Sequence, residues 1–157
     1  MRPFMDKAVP EAWQAATALS SAILSAAEQR GLSRQESELI KVRASQINGC
    51  AFCLDLHSRE ARQAGVLQQK LDLLPGWREA RVFDERERAV LSVAEAATVL
   101  PLTEDSVADL TGARSLLGDE TFVAAEWVAV AINAFNRISI LSEHPVRPRD
   151  SDGRLVR

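Results

Sequence analysis

The chain holds two cysteines, and they stand together in Cys50-Ala-Phe-Cys53-Leu-Asp-Leu-His57, which also contains one of its two histidines. On a helix, Cys53 and His57 are one turn apart and Cys50 precedes Cys53 by three residues, so all three face one side. The preceding Asn48-Gly49 is a turn signal that predicts a helix start at about Cys50. There the free backbone N–H groups and the positive end of the helix dipole favour a thiolate. A free thiol titrates near ~8.5 and is only slightly ionised at neutral pH, but a histidine one turn away can take its proton. The arrangement suggests redox thiol chemistry.

Plainer readings compete with this one. Free cysteines are often small buried hydrophobes, and a single histidine more often packs or faces solvent than acts as a base. Cys50, Cys53, His57 and Glu38 also have the ligand types of a tetrahedral zinc site. Structural zinc usually joins two separated ligand pairs, however, and this chain has no second pair. Glu38 on its own reads as an exposed helix charge.

Glu38, eleven residues, then Cys50-x-x-Cys53-x-x-x-His57 resembles the signature of the carboxymuconolactone decarboxylase superfamily, in its AhpD-like alkylhydroperoxidase branch. The resemblance spans roughly residues 10–142, with its motif between Glu38 and Gly65. It implies an AhpD-like fold in which Cys53 attacks the peroxide, Cys50 resolves, and Glu38 acts on His57 directly or through water. Position alone argues partly for Cys50 as the attacker, because it lies nearer the helix N-terminus. The founding peroxidases can carry a histidine just before the second cysteine. Here that residue is Phe52, so a second proton-handling group is missing from that position. The resemblance further implies a dithiol electron donor, either a lipoyl protein or a thioredoxin-like one, and assembly into a trimer or a hexamer.

The elements that must position these residues read as helices throughout. With 157 residues, 46% apolar and 26% charged, the sequence suits a single domain with a real core. A net charge of −3 and no basic block argue against nucleic acid or an anionic membrane as partner. The first residues lack a signal-peptide pattern, and no stretch suits a membrane span, so a cytoplasmic protein is expected.

Residues 1–9 read as an irregular arm. Pro10 suits the first turn of a helix that Gly31 stops, with Ala15, Ala18, Leu19, Ala22, Ile23 and Ala26 as its apolar stripe. Ser33-Arg-Gln-Glu36 is a capping box for a second helix, on which Leu39, Ile40, Val42 and Arg43 are expected to alternate between buried and exposed. Further helices are expected at about 50–64, 67–74, 86–100 and 103–117, the third of them opened by a second capping box at Asp84-Glu-Arg-Glu87, with Pro75, Pro101 and Gly118 among their stops. Asp119 is the expected cap of a last helix, 120–141, which is apolar nearly all round and so must be covered, by its own domain or a neighbouring subunit. Asn133, Asn136 and Arg137 are polar exceptions on it, expected at the thiol pocket or at a subunit contact. Residues 143–157 read as an extended tail that carries His144. The fold expected is an all-α, single-domain bundle of six or seven helices.

Together these readings favour a thiol-dependent hydroperoxidase that reduces small-molecule organic hydroperoxides through Cys53 and Cys50. No flavin, haem or nucleotide signature accompanies the pair. Two alternatives stand: a lactone decarboxylase, which needs acid–base residues but no disulfide, and a non-enzymatic redox sensor.

Overall fold

The computed structural model describes residues 2–156; Met1 of the arm and Arg157 of the tail lie outside. Among the described residues there are eight α-helices and no strand. They are α1 (Met5–Ala8), α2 (Pro10–Gln29), α3 (Arg34–Asn48), α4 (Ala51–Gln63), α5 (Gln68–Leu73), α6 (Glu85–Thr98), α7 (Glu104–Leu117) and α8 (Asp119–Leu141), with a 3₁₀ turn at Leu74–Gly76. The arm is where the count exceeds expectation, because Met5–Ala8 closes one helical turn just before Pro10.

Local signals set most boundaries. The Ser33 hydroxyl accepts from Glu36 N–H at 3.1 Å while the Glu36 carboxylate accepts from Ser33 N–H at 2.8 Å, a closed capping box at the start of α3. Asp84 and Glu87 close the same box at the start of α6, at 2.8 and 2.9 Å. The Thr103 hydroxyl caps α7 by accepting from Ser106 N–H. Asp119 does not cap α8. The chain turns from α7 to α8 on Gly118 alone, so Asp119 is already helical and pairs with Arg114 at 2.7 Å instead.

The helix α3 runs through the middle and packs on α4, α6 and α8. Leu39, Ile40 and Val42 are therefore all buried and Arg43 half-buried, where alternation was expected, and Glu36, Ser37 and Glu38 are buried with them. Three ion pairs make this tolerable. Arg86 donates to Glu36 at 2.8 Å, Lys41 to Glu38 at 2.7 Å, and Arg43 pairs with Glu95 at 2.8 Å. Glu95 also accepts from the Trp77 indole N–H at 2.8 Å and from Arg78. Burial alone pushes its carboxyl up, but these donors outweigh burial and hold it below the usual range.

Two apolar clusters flank α3. One joins Ile40 to Val90, Val93, Val128 and Phe122; the other joins Leu39 and Val42 to Ala61, Leu74, Trp77 and Leu91. On α2 the structure corrects the expected stripe. Ile23 and Ala27 are buried, whereas Ala15, Ala18, Leu19 and Ala22 face outward. Alanine occurs on several faces of this helix, so the larger Trp13 and Ile23 decide which one turns inward against α8. Residues 143–156 hold neither a helix nor a strand; turns and irregular stretches carry one isolated bridge between Arg149 and Leu155. Arg149 ties this tail to Asp55 of α4 at 3.2 Å. Among the described residues, no helix is long and apolar enough to cross a membrane.

Ile40 is fully buried against α6 and α8. Ile40→Ala should lower unfolding stability by about 2–5 kcal/mol through lost burial and a residual cavity. Urea unfolding followed by tryptophan fluorescence measures this; a change within error would show that the core closes over the gap.

Candidate active site

Gly49 ends α3 in the left-handed region, with φ of 68°, and turns the chain straight into α4. A side chain at that φ would be strained, which explains the glycine of the Asn48-Gly49 turn. Cys50 is the N-cap of α4, one residue before the helix begins, and its sulfur accepts from Cys53 N–H at 3.4 Å. The two cysteines are paired as a disulfide, with Cα atoms 5.3 Å apart. Both are buried, and they differ in outlook. Cys53 lines a cavity of about 510 Å³, while Cys50 lies behind that wall.

The turn is anchored from α8. Asn48 donates to the side-chain oxygens of Asn133 and Asn136, both at 2.8 Å. Asn136 in turn donates to Ser45 at 3.0 Å, and Asn133 to Thr98 at 2.9 Å. Arg137 donates to the Asn133 carbonyl at 2.8 Å. Asn48, Asn133 and Asn136 thus form an internal clamp behind the cysteine turn, distinct from the cavity wall, with Arg137 on its outer side. It satisfies buried amides that would otherwise be costly.

Glu38 and His57 meet directly. The His57 Nδ1 lies 3.1 Å from Glu38 Oε2 and 3.1 Å from Glu60 Oε2. Glu38 is 3% exposed, so the glutamate that reads as a surface charge is a buried one. With Nδ1 engaged by carboxylates, Nε2 is the nitrogen left to serve the cavity, which His57 lines together with Cys53 and Lys41. Burial pushes the His57 pKa down, but the hydrogen bonds to Glu38 and Glu60 outweigh it and leave the value raised. Glu60 is correspondingly held low, chiefly by its bond to His57.

Lys41 and Glu60 were missed in the sequence, although helical spacing marks both: each lies three residues from its partner, Glu38 and His57. The cavity itself is mostly apolar, walled by Trp13, Leu24, Phe52, Leu56, Ile132 and Phe135. Phe52 sits at its rim, partly exposed. His144, expected on the exposed tail, lines the cavity instead and is only 13% exposed at its side chain. Its ring lies edge-on to Phe4 and tilted against Phe52, which covers it from both sides. Glu38, His57 and Glu60 are also a ligand set of metal-binding type, their donor atoms within 4.8 Å of one another. Lys41 already brings a cation to Glu38, and the disulfide keeps both sulfurs out of that set.

Within an all-α bundle the site thus brings one sulfur of a disulfide, Cys53, and an imidazole held from behind by a buried carboxylate to the same cavity. The family comparison agrees with the fold: the carboxymuconolactone decarboxylase family profile matches residues 10–96, and the chain belongs to that family. It is 35% identical to YdfG of Bacillus subtilis (strain 168) over 113 residues, 72% of this chain and 77% of that protein. It is 36% identical to YnjA of Escherichia coli (strain K12) over 67 residues, 43% of this chain and 37% of that one. A crystal structure of an Agrobacterium tumefaciens protein of unknown function, proposed there as the antioxidant defence protein AhpD, superposes with a TM-score of 0.80. That structure is 37% identical, and the match covers 92% of this chain and 99% of the other.

A raised folded-state pKa makes His57 protonation stabilising. The contribution is fully present below the unfolded value near 6.5 and is lost as pH rises through the higher folded value. Glu38→Gln should therefore move the His57 titration to lower pH, read directly by NMR of the imidazole. It should also weaken the stability advantage on the acid side of that transition. An unmoved titration would mean that Glu60 alone sets the ring.

Proposed function

We propose that the protein is a thiol-dependent peroxidase that reduces organic hydroperoxides through a Cys53–Cys50 disulfide cycle. The observation that carries this reading is the convergence of Cys53 and the carboxylate-held His57 on one apolar cavity. In the reduced protein, His57 takes the Cys53 proton and Glu38 keeps the ring in the tautomer that can accept it. The thiolate attacks the terminal peroxide oxygen, the S–O bond forms, the O–O bond breaks, and an alcohol leaves once protonated. Cys50 then attacks the sulfenic sulfur, releasing water and forming the disulfide. Two electrons return from an external dithiol, a lipoyl group or a thioredoxin-like protein.

Attack is assigned to Cys53 because it is the thiol on the cavity wall, and resolution to Cys50 behind it. The apolar lining suits an organic rather than a small inorganic peroxide. The proposed antioxidant role of the Agrobacterium protein is consistent with this cycle.

Hydroperoxide consumption should depend on a dithiol donor. Cys53→Ser should abolish it, and Cys50→Ser should stop it after one turnover, with a sulfenic acid trapped on Cys53. His57→Gln should slow oxidation at pH 7 by roughly two to four orders of magnitude, and Glu38→Gln by less. Both deficits should shrink as pH rises past the thiol pKa. Stopped-flow oxidation from pH 6 to 10 measures them, and a wild-type rate for His57→Gln at pH 7 would falsify the relay.

The outer face of α8 supports a homo-oligomer, a trimer or a hexamer. Trp127 is 49% exposed, beside Val123, Val130, Leu100 and Leu102. A second copy of the chain would cover such a patch. Light scattering at micromolar concentration should give a multiple of 17.2 kDa, and Trp127→Glu should lower it. A monomeric mass for the wild type sinks this assignment.

A further inference from the structure

The cavity has a second imidazole that the cycle above leaves unused. His144 follows α8 by three residues, where its backbone N–H closes on the Ser139 carbonyl at 3.1 Å. Its Nε2 lies 3.1 Å from Asp6 Oδ1 of the arm, and its Nδ1 lies 3.4 Å from the Ser139 hydroxyl. Asp6, Ser139 and His144 all line the cavity that holds Cys53. The arm is fixed in place for this contact: Met5 N–H donates to the Ser142 hydroxyl at 3.0 Å, and Arg2 pairs with Glu143 at 2.9 Å. The result is a carboxylate–imidazole–hydroxyl chain, drawn from two ends of the sequence and opening onto the reactive thiol's cavity.

The proposed cycle needs two proton transfers at the peroxide step. One proton leaves the Cys53 thiol, and one must reach the oxygen that departs when the O–O bond breaks. His57 is held for the first task by two carboxylates at its Nδ1. Resting on that peroxidase reading, we propose that His144, oriented by Asp6 and acting with the Ser139 hydroxyl, is the general acid that protonates the departing oxygen. The balance is simple. The Cys53 sulfur supplies two electrons, becoming a sulfenic acid; the alkoxide takes a proton from the His144–Ser139 pair and leaves as an alcohol. His57 releases the Cys53 proton to solvent, and His144 regains one from solvent, before the next turn. Asp6 holds the ring and fixes which nitrogen faces Ser139, so it is a positioning residue.

A structural brace between arm and tail and a general acid differ in one measurable respect. An alkyl hydroperoxide releases a strongly basic alkoxide that needs a proton, whereas a peroxy acid releases a carboxylate that needs none. Pre-steady-state oxidation of the reduced full-length protein by cumene hydroperoxide and by 3-chloroperoxybenzoic acid separates the two roles. His144→Gln should slow the alkyl hydroperoxide reaction by about a hundredfold or more, as loss of a general acid does, and the peroxy acid reaction far less. Asp6→Asn should show the same selectivity at smaller size. Equal slowing with both oxidants, or no slowing with either, overturns the assignment while leaving the peroxidase reading intact. A wild-type protein inert to both oxidants overturns the peroxidase reading and this assignment with it.

Discussion

A helix carrying Glu36, Glu38, Lys41 and Arg43 lies at the centre of the molecule, and everything else is arranged to keep those charges paired. Isolated, a buried carboxylate would give up its charge or unfold the chain. Arg86 from α6 neutralises Glu36. Glu95, also from α6, holds Arg43 and binds Trp77, which closes the second apolar cluster. Lys41 and His57 share Glu38 between them. The ion pairs thus fix how α6 and α4 sit on α3 more sharply than apolar contact alone would. The same pairing that makes the fold tolerable puts a carboxylate behind a histidine.

The chemistry follows from that packing. Glu38 is held by its own helix neighbour Lys41 and cannot swing out to water, so its second oxygen remains available to His57. The short link through Gly49 lays α4 directly on α3, and the clamp of Asn48, Asn133 and Asn136 holds the turn from behind. Cys50 gains the N-cap position, where orphan backbone donors face its sulfur, and Cys53 gains the cavity. Position in the helix and position at the cavity therefore divide between the two sulfurs. The first belongs to Cys50, the second to Cys53.

What the sequence disclosed was mostly local. Two capping boxes, the Asn48-Gly49 turn and the three-and-four spacing of Cys50, Cys53 and His57 all act within one or two helical turns. They were legible without knowledge of the fold. Glu38 reached the site through a family spacing, since nothing in a lone glutamate announces burial. The partners of α3 were hidden because Arg86 and Glu95 lie about fifty residues away in the chain. His144 was hidden for the same reason more strongly: Asp6 is 138 residues distant, and a histidine among prolines and arginines reads as tail. The face of α2 was misread because alanine marks an apolar stripe without saying which side has depth to fill.

The cavity is assembled across a divide in the chain. Cys53, His57 and Lys41 fall within residues 10–96, the segment that the family profile matches, whereas Val128, Ile132, Phe135, Ser139 and His144 lie beyond it and Asp6 before it. Cys53 and His57 thus share one stretch of sequence with part of the wall, and the rest of the wall comes from outside it. Drift in the last helix or the arm can reshape the cavity while Cys53 and His57 stay untouched. Relatives that share the four-residue signature can accordingly differ in the cavity built around it.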